Sequence, residues 1–382
     1  MKWLRTITST RCAPHALAFG PDQQINDPAD GTQDRPDIVA ERNGLPIFVA
    51  YEDAGGSRLI RSDDLGDTWS PSMAIGGASE RPALAFRDEV LVEGVVETSA
   101  TLFIAYAEGG SIYLIEGTFP DGLAMPVALG APVLVGPGTE PDVAATTDAV
   151  HVAWEKDGQI FAASGPGGAA LSAELRVDTG GGEAFVPSIA ANRTTGAVYV
   201  AYHARRGMGD TDVYLNVSKD RGASYGDQEV RIDDDGGGQN QLNISIGIDD
   251  RSQQLYATWE DRRGGANVYF SRSVDDGATW DPNLETGAGL GGDQFTPQAV
   301  IDPGRNAYVF FIDTTDGRRP LFTRFNPDGI FDPPLQASER AGQAGASANN
   351  PSVATDRYGT IYAVWSENHG GPDLNIFFAR AE

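Results

Sequence analysis

Several short runs of this chain set aromatic, acidic and arginine side chains side by side: Tyr51 near Asp53, Trp154-Glu155, His203 with Arg205 and Arg206, Trp259-Glu260-Asp261-Arg262-Arg263, and Glu367 near His369. Such sets suit a polyhydroxylated or anionic ligand. A ring covers a sugar face, carboxylates accept from hydroxyls, and a guanidinium grips a carboxylate through two parallel hydrogen bonds. His203 beside Arg205 would pair a base with a carboxylate clamp. Two acidic runs, "GDTD" with Asp210 and Asp212 and "IDDDGGG" with Asp233 and Asp235, are oxygen-rich enough for calcium, the one ion the sequence suggests. It requires no cofactor: there is no zinc spacing, no phosphate loop before a helix and no nucleophile elbow.

The elements that must carry these runs recur. A unit opening on proline starts at Pro36, Pro82, Pro141, Pro187, Pro297 and Pro351, with Ile244 in the proline's place in a further copy, and the starts are 46 to 59 residues apart. Each unit contains a short first strand, a second such as "IFVAYED", "VHVAWEK" or "LYATWED", and a third such as "NVYFSRS". These β-branched and aromatic runs, bounded by Gly, Asn, Asp and Pro, read as strands with apolar residues on both faces. Four short strands in about fifty residues fit a propeller blade. The last unit stops after its third strand at "NIFFARAE", while "AFGPDQQIND" matches a fourth, so the N-terminal segment should complete the final blade. The expectation is all-β: one seven-bladed β-propeller over residues 18–382, with six blades the alternative and residues 1–17 an extension. Blades should start near 35, 81, 140, 186, 243, 296 and 350.

After the third strand three units carry Ser-x-Asp-x-Gly-x-Ser/Thr-Trp/Tyr: Ser62, Asp64, Gly66 and Trp69; Ser218, Asp220 and Gly222 before Tyr225; and Ser273, Asp275, Gly277 and Trp280. The Asp accepts from backbone N–H groups of its turn, Gly supplies positive φ and the aromatic anchors the turn. This is the Asp box. With the opening prolines it makes nearly the whole chain resemble the sialidase-like superfamily of Asp-box (BNR repeat, neuraminidase-like) propellers, in which the boxes are structural. The resemblance implies that a ligand binds on the other face, formed by the loops between strands 2 and 3 and between strand 4 and the next strand 1. That face would hold the runs listed above together with Arg35 and Arg81. In the first blade, Arg35 matches the family's carboxylate-binding arginine and Asp53 its acid/base, although the chain has Arg-Pro where the family has Arg-Ile-Pro. No tyrosine matches the nucleophile. His203 with Arg205 matches the needs of a lyase acting on uronic-acid glycans.

Composition narrows the partners. With 54 Asp and Glu against 28 Lys and Arg, the net charge of −26 argues against nucleic acid and anionic membrane surfaces. A single cysteine, Cys12, allows no internal disulfide. No apolar run is long enough for a signal-peptide core or a membrane span. The reading is a soluble, extracellular or virion-associated propeller that recognises a carbohydrate or glycosylated surface, with or without catalysis. The alternatives are a glycan-cleaving enzyme, either an exo-sialidase-type hydrolase or a uronate lyase, and a component of a larger assembly held to other proteins through residues 1–17.

Overall fold

The computed structural model describes residues 18–27, 31–92, 95–167, 170–207, 209–326, 328–339, 346–369 and 371–381. Residues 1–17, and with them the expected assembly segment, lie outside the described residues. Blade 1 is an antiparallel sheet of Asp34–Ala40, Ile47–Asp53, Gly56–Ser62 and Met73–Ile75, in that order. Six further sheets follow, with first strands Glu80–Arg87, Thr139–Ala145, Glu183–Ala191, Gln241–Asp249, Gln294–Ile301 and Ala346–Thr355. The fold is the expected seven-bladed, all-β propeller, and the six-bladed alternative falls. Blade 7 takes its outer strand, Gln23–Gln24, from the N-terminal segment, pairing Gln23 with Phe378 and Gln24 with Phe377. Blade 2 departs from the four-strand plan: a fifth strand, Val133–Pro137, also pairs with Ser111–Thr118, and a small hairpin joins Val90–Val92 to Val95–Thr98. Among the described residues no helix is long and apolar enough to cross a membrane.

Second strands are the most buried because a neighbouring blade covers each face. Phe48, Phe103, Trp154, Trp259, Phe310 and Trp365 are fully buried, and the core runs between blades, as where Trp154 packs with Ala85 and Phe103 of the blade before. Burying such side chains stabilises by roughly 2–3 kcal/mol each. First strands form the channel wall. Each is bulged around the unit's opening proline, and the residue before it is left-handed: Arg35, Arg81, Glu140, Val186, Asn243, Thr296 and Asn350 have φ of 44–51°. Proline is tolerated here because the innermost strand is an edge and the bulge removes a ladder bond. Asn243 adopts the same conformation before Ile244, so the bulge does not need the proline.

In blades 1, 3, 4, 5 and 7 the side chain just past the bulge reaches the next blade, whereas Gln298 of blade 6 accepts from Ser245 of the blade before. Asp37 accepts from Leu84 N–H at 2.7 Å, Asp142 from Ile189 at 2.8 Å, Ser188 from Ile246 at 3.2 Å and Ser245 from Ala299 at 3.3 Å. Ser352 accepts from Ile38 at 3.4 Å, joining the last blade to the first. Ala83, at the equivalent place in blade 2, has no acceptor to offer.

The three Asp-containing turns share one geometry on the face of the strand 1 to 2 and 3 to 4 loops. Asp64 accepts from Thr68 N–H at 2.8 Å and Asp275 from Thr279 N–H at 2.8 Å, while Ser62 and Ser273 accept from Gly66 and Gly277 N–H. Asp220, Ser218 and Gly222 repeat this. Hydrogen bonds from the Thr68, Ser224 and Thr279 hydroxyls, and also from the N–H groups of the same residues, hold the Asp64, Asp220 and Asp275 carboxyls below the usual range. Each turn also packs on the preceding blade: Trp69 meets Phe378 edge-on at 5.2 Å, and a Cβ at Gly66 (φ 92°) would run into the Phe378 ring. Gly66→Ala should therefore lower unfolding free energy by about 2 kcal/mol or more. Chemical denaturation checks this, and an unchanged midpoint would contradict the packing role.

Candidate functional site

At the face of the strand 2 to 3 and 4 to 1 loops the channel opens into a cavity of about 270 Å³, rimmed by the seven left-handed residues. Strain of this kind costs on the order of 1–3 kcal/mol per residue and persists only where neighbours enforce it. For three of the seven the enforcing groups are glutamates of the second strands, and Arg35 N–H donates to Asp34. Glu52 accepts from Arg81 N–H at 2.6 Å, Glu155 from Val186 at 3.3 Å and Glu260 from Thr296 at 2.8 Å, each holding the bulge of the next blade. Glu155 and Glu260, read from the sequence as ligand groups, thus have a backbone duty as well.

The most charged part of the rim lies where blades 1, 2 and 3 meet. Arg35 contacts Glu52 at 3.3 Å, and Arg81 is paired with Glu140. Both arginine side chains stay over a third exposed, at 40% and 35%. Burial raises the Glu140 and Glu155 carboxyls, against the pull of Arg81 on both. Arg35 also borders a second hollow with Glu52, Asp53, Gly55 and Glu80, so the two residues matched to the sialidase pattern share one site. There Asp53 accepts from Gly55 N–H and from Arg58 Nε, both at 2.6 Å. Beneath the rim, Asp37 and Asp142 are built into the channel wall. Burial pushes Asp142 up to about 7, with the Asp37 charge adding to the rise and the Ile189 and Val143 N–H groups opposing it.

The other expected ligand residues are distributed differently. Tyr51, Trp154 and Trp259 are 2%, 0% and 0% exposed, so no ring face is open for sugar stacking. Strand alternation turns them into the inter-blade core, where Trp154 Nε1 donates to Pro137 O at 3.0 Å and Trp259 Nε1 to Asp261 at 3.1 Å. Asp261 is buried and bonded by Arg263, which also reaches Asp234 and lies 4.7 Å over the Tyr269 ring. Arg206 is likewise absorbed, by Glu229 at 2.8 Å and the Tyr214 ring, and Glu367 by Trp365 Nε1 at 2.7 Å. His203 is buried against Phe185, and desolvation lowers it to about 4, which keeps it neutral at pH 7. Arg205 is half-exposed beside Glu183, and His369 ends its strand in register with Ala346. Arg262 pairs with Glu260 at 3.3 Å and keeps 38% of its side chain exposed; its guanidinium lies 5.6 Å from the Phe295 ring, which Arg318 also approaches at 5.5 Å. Phe295 does not stand out in the sequence; the packing of blade 6 on blade 5 puts it beside Arg262.

Of the four residues expected to offer calcium ligands, Asp212, Asp233 and Asp235 do converge, with oxygens within 4.8 Å. Asp210 instead accepts from Gly238 N–H. The guanidinium of Arg231 stands among the three carboxylates, 2.6 Å from Asp212 and paired with Asp233 and Asp235. Its positive charge takes the place a cation would need, so the residues do not fit calcium as arranged.

No protein-family model and no curated protein matches the sequence. Solved structures do. A protein of unknown function from Dyadobacter fermentans is 15% identical, over 96% of this chain and 99% of that one, with a TM-score of 0.59. A polysaccharide lyase of family PL25, an ulvan lyase, is 12% identical over 72% and 79%, with a TM-score of 0.51. A variant of the NanB sialidase from Streptococcus pneumoniae is 11% identical over 93% and 70%, with a TM-score of 0.50. At these identities the likeness is one of fold. The class is therefore a seven-bladed β-propeller, similar in fold to these structures, and the site must be judged on its own residues.

Asp142 gives the channel wall a testable pH signature. A carboxyl raised by folding costs nothing below its unfolded value near 4, costs progressively more as pH rises, and reaches a constant cost above about 7. Asp142→Asn keeps an oxygen for Ile189 N–H and removes the titration. Relative to wild type it should gain on the order of 3 kcal/mol between pH 4 and pH 8, measured by denaturant unfolding. Parallel pH profiles would refute the assignment.

Proposed function

We propose that the protein binds a glycan bearing carboxylates, such as a uronate or sialate, at the channel opening of the strand 2 to 3 and 4 to 1 face, as a recognition module and not as a hydrolase. The observation that carries this reading is the pair Arg35 and Arg81: two part-exposed arginines in adjacent blades on one rim, where Glu52 accepts from the Arg35 guanidinium and the Arg81 backbone N–H and the Arg81 guanidinium pairs with Glu140. A guanidinium pair of this kind suits a carboxylate and its neighbouring hydroxyls. Arg262, part-exposed with its charge over Phe295, would extend the surface along the rim. Among the described residues lining the opening there is no tyrosine, which favours binding over sialidase chemistry.

A second reading, glycan cleavage, rests on Arg35 and Asp53 bordering one hollow. Asp53 would have to leave Arg58 to act as an acid. Release of a sugar or an unsaturated product, abolished in Asp53→Asn or His203→Ala, would support it over binding alone.

A glycan array followed by calorimetry tests the main reading. Uronate- or sialate-containing oligosaccharides should be selected over neutral ones, and Arg35→Gln should raise Kd about tenfold or more with little change in melting temperature. Equal binding of neutral glycans, or an unchanged Kd in Arg35→Gln, would overturn it.

A further inference from the structure

The opposite end of the channel holds a second charged site. In six of the seven blades an arginine stands at the end of strand 1 or in the turn to strand 2: Arg87 at the strand end, and Arg42, Arg193, Arg251, Arg305 and Arg357 in turns. Five of these, all but Arg305, line one hollow of about 560 Å³ over the channel mouth. In a chain of net charge −26 with 28 basic residues, that density requires a reason. An acidic protein gains nothing in solubility from gathering its cations, and the arginines repel one another unless an anion lies between them.

The nearby acids offset them only in part: Glu41, Asp88 and Glu89 line the same hollow, Glu41 lies near Arg357, and Asp250 lies near Arg193 and Arg42. Glu41 accepts from its own turn, at Asn43 N–H (2.6 Å) and Asn43 Nδ2 (2.7 Å). Asp88 accepts from Arg42 N–H at 3.1 Å and pairs with Arg193 at 2.5 Å, and is the acid that holds a guanidinium of the hollow. Deeper in the mouth, Asp249, Asp250, Asp302 and Asp356 face backbone: Asp249 accepts from Arg251 N–H, Asp250 from Arg193 N–H, Asp302 from Asn306 N–H and Asp356 from Tyr358 N–H. Of these four, Asp249 also meets Arg305, outside the hollow.

The arginine heads are placed for a ligand. Arg42 and Arg251 are exposed, and among the described residues neither side chain has a hydrogen bond or ion pair. Arg357 N–H donates to Arg42 O at 2.8 Å, which sets these two turns side by side across the junction of blades 7 and 1. The Arg357 guanidinium rests 4.9 Å over the ring of Tyr358, itself 68% exposed. Arg87 is held over Phe103 and by Thr101 Oγ1 at 2.9 Å, and its Nε is buried without a partner. Thr146, Thr147 and Thr194 complete the wall.

We propose that this hollow binds a compact ligand carrying several phosphate or sulfate groups, independently of the glycan site at the other end. Converging guanidiniums satisfy the many acceptor oxygens of tetrahedral oxyanions, and a single carboxylate could not span five blades. The test uses the full chain at low salt with two probes of similar size, inositol hexakisphosphate and sucrose octasulfate, read by calorimetry and thermal shift. At least one probe should bind saturably at 1:1 and raise the melting temperature, with affinity falling as salt rises, and the tighter probe identifies phosphate or sulfate as the source. The double variant Arg42→Gln, Arg251→Gln removes only unpartnered side chains. It should keep the wild-type melting temperature and raise Kd at least tenfold. Arg35→Gln, which tests the glycan site, should leave this Kd unchanged. No saturable binding of either probe, an unaltered Kd in the double variant, or an equal loss in Arg35→Gln would overturn the proposal.

Discussion

Most blades meet the next through hydrogen bonds made at the channel, and the rest of the molecule is arranged around them. At three junctions a glutamate from one second strand holds the left-handed residue of the following blade, as Glu52 holds Arg81, and at five the residue past the bulge reaches a further N–H, as Asp37 reaches Leu84. The bulge twists the first strand so that its exposed edge is used and not left as a template for another chain. It also aims seven side chains into one opening. The site is thus a by-product of closure: backbone strain that secures the ring places Arg35 and Arg81 on one rim.

The same logic sorts the aromatic and acidic residues. In the second strands, alternation sends Trp154, Trp259 and Trp365 between blades, while the neighbouring position carries Glu52, Glu155 and Glu260 toward the channel. Where blade 4 has His203 in that position, the imidazole is buried and neutral and has no partner at Nδ1. Ion pairs on this face work mostly in local pairs, Arg206 with Glu229 and Arg263 with Asp261, and rigidify loops instead of presenting charge. What remains open is a short list of guanidiniums.

The strands, their number and the closure of blade 7 by the N-terminal segment were legible because each depends on local pattern: β-branched runs, a recurring proline and one unit lacking its fourth strand. The bulges were not, since the proline marks the place but the left-handed conformation belongs to the residue before it, whether arginine, valine or threonine. Burial of Trp259 was missed because "WED" looks the same whether the ring faces solvent or the next blade. The arginines of the far mouth were invisible for another reason. They lie one to a unit, mostly 45 to 60 residues apart, and only the rotation of the ring brings Arg42, Arg251 and Arg357 together.

The tyrosines show why nucleophilic tyrosine chemistry is not carried onto this chain by the fold it shares. A phenol that attacks a sugar must be held near deprotonation, which needs nearby cations or a base and an open ring edge. Tyr308 and Tyr362 are buried, and their hydroxyls donate to Asp302 and Asp356 at 3.0 and 2.8 Å. Burial and the adjacent carboxylates raise both phenols well above their ordinary value, the opposite of activation. Their partners, moreover, sit at the far mouth and not at the rim that carries Arg35. Tyr202 is fixed on Glu229, whose carboxylate raises it in the same sense. The fold keeps these tyrosines as buried struts between turn and strand, with their hydroxyls committed to carboxylates.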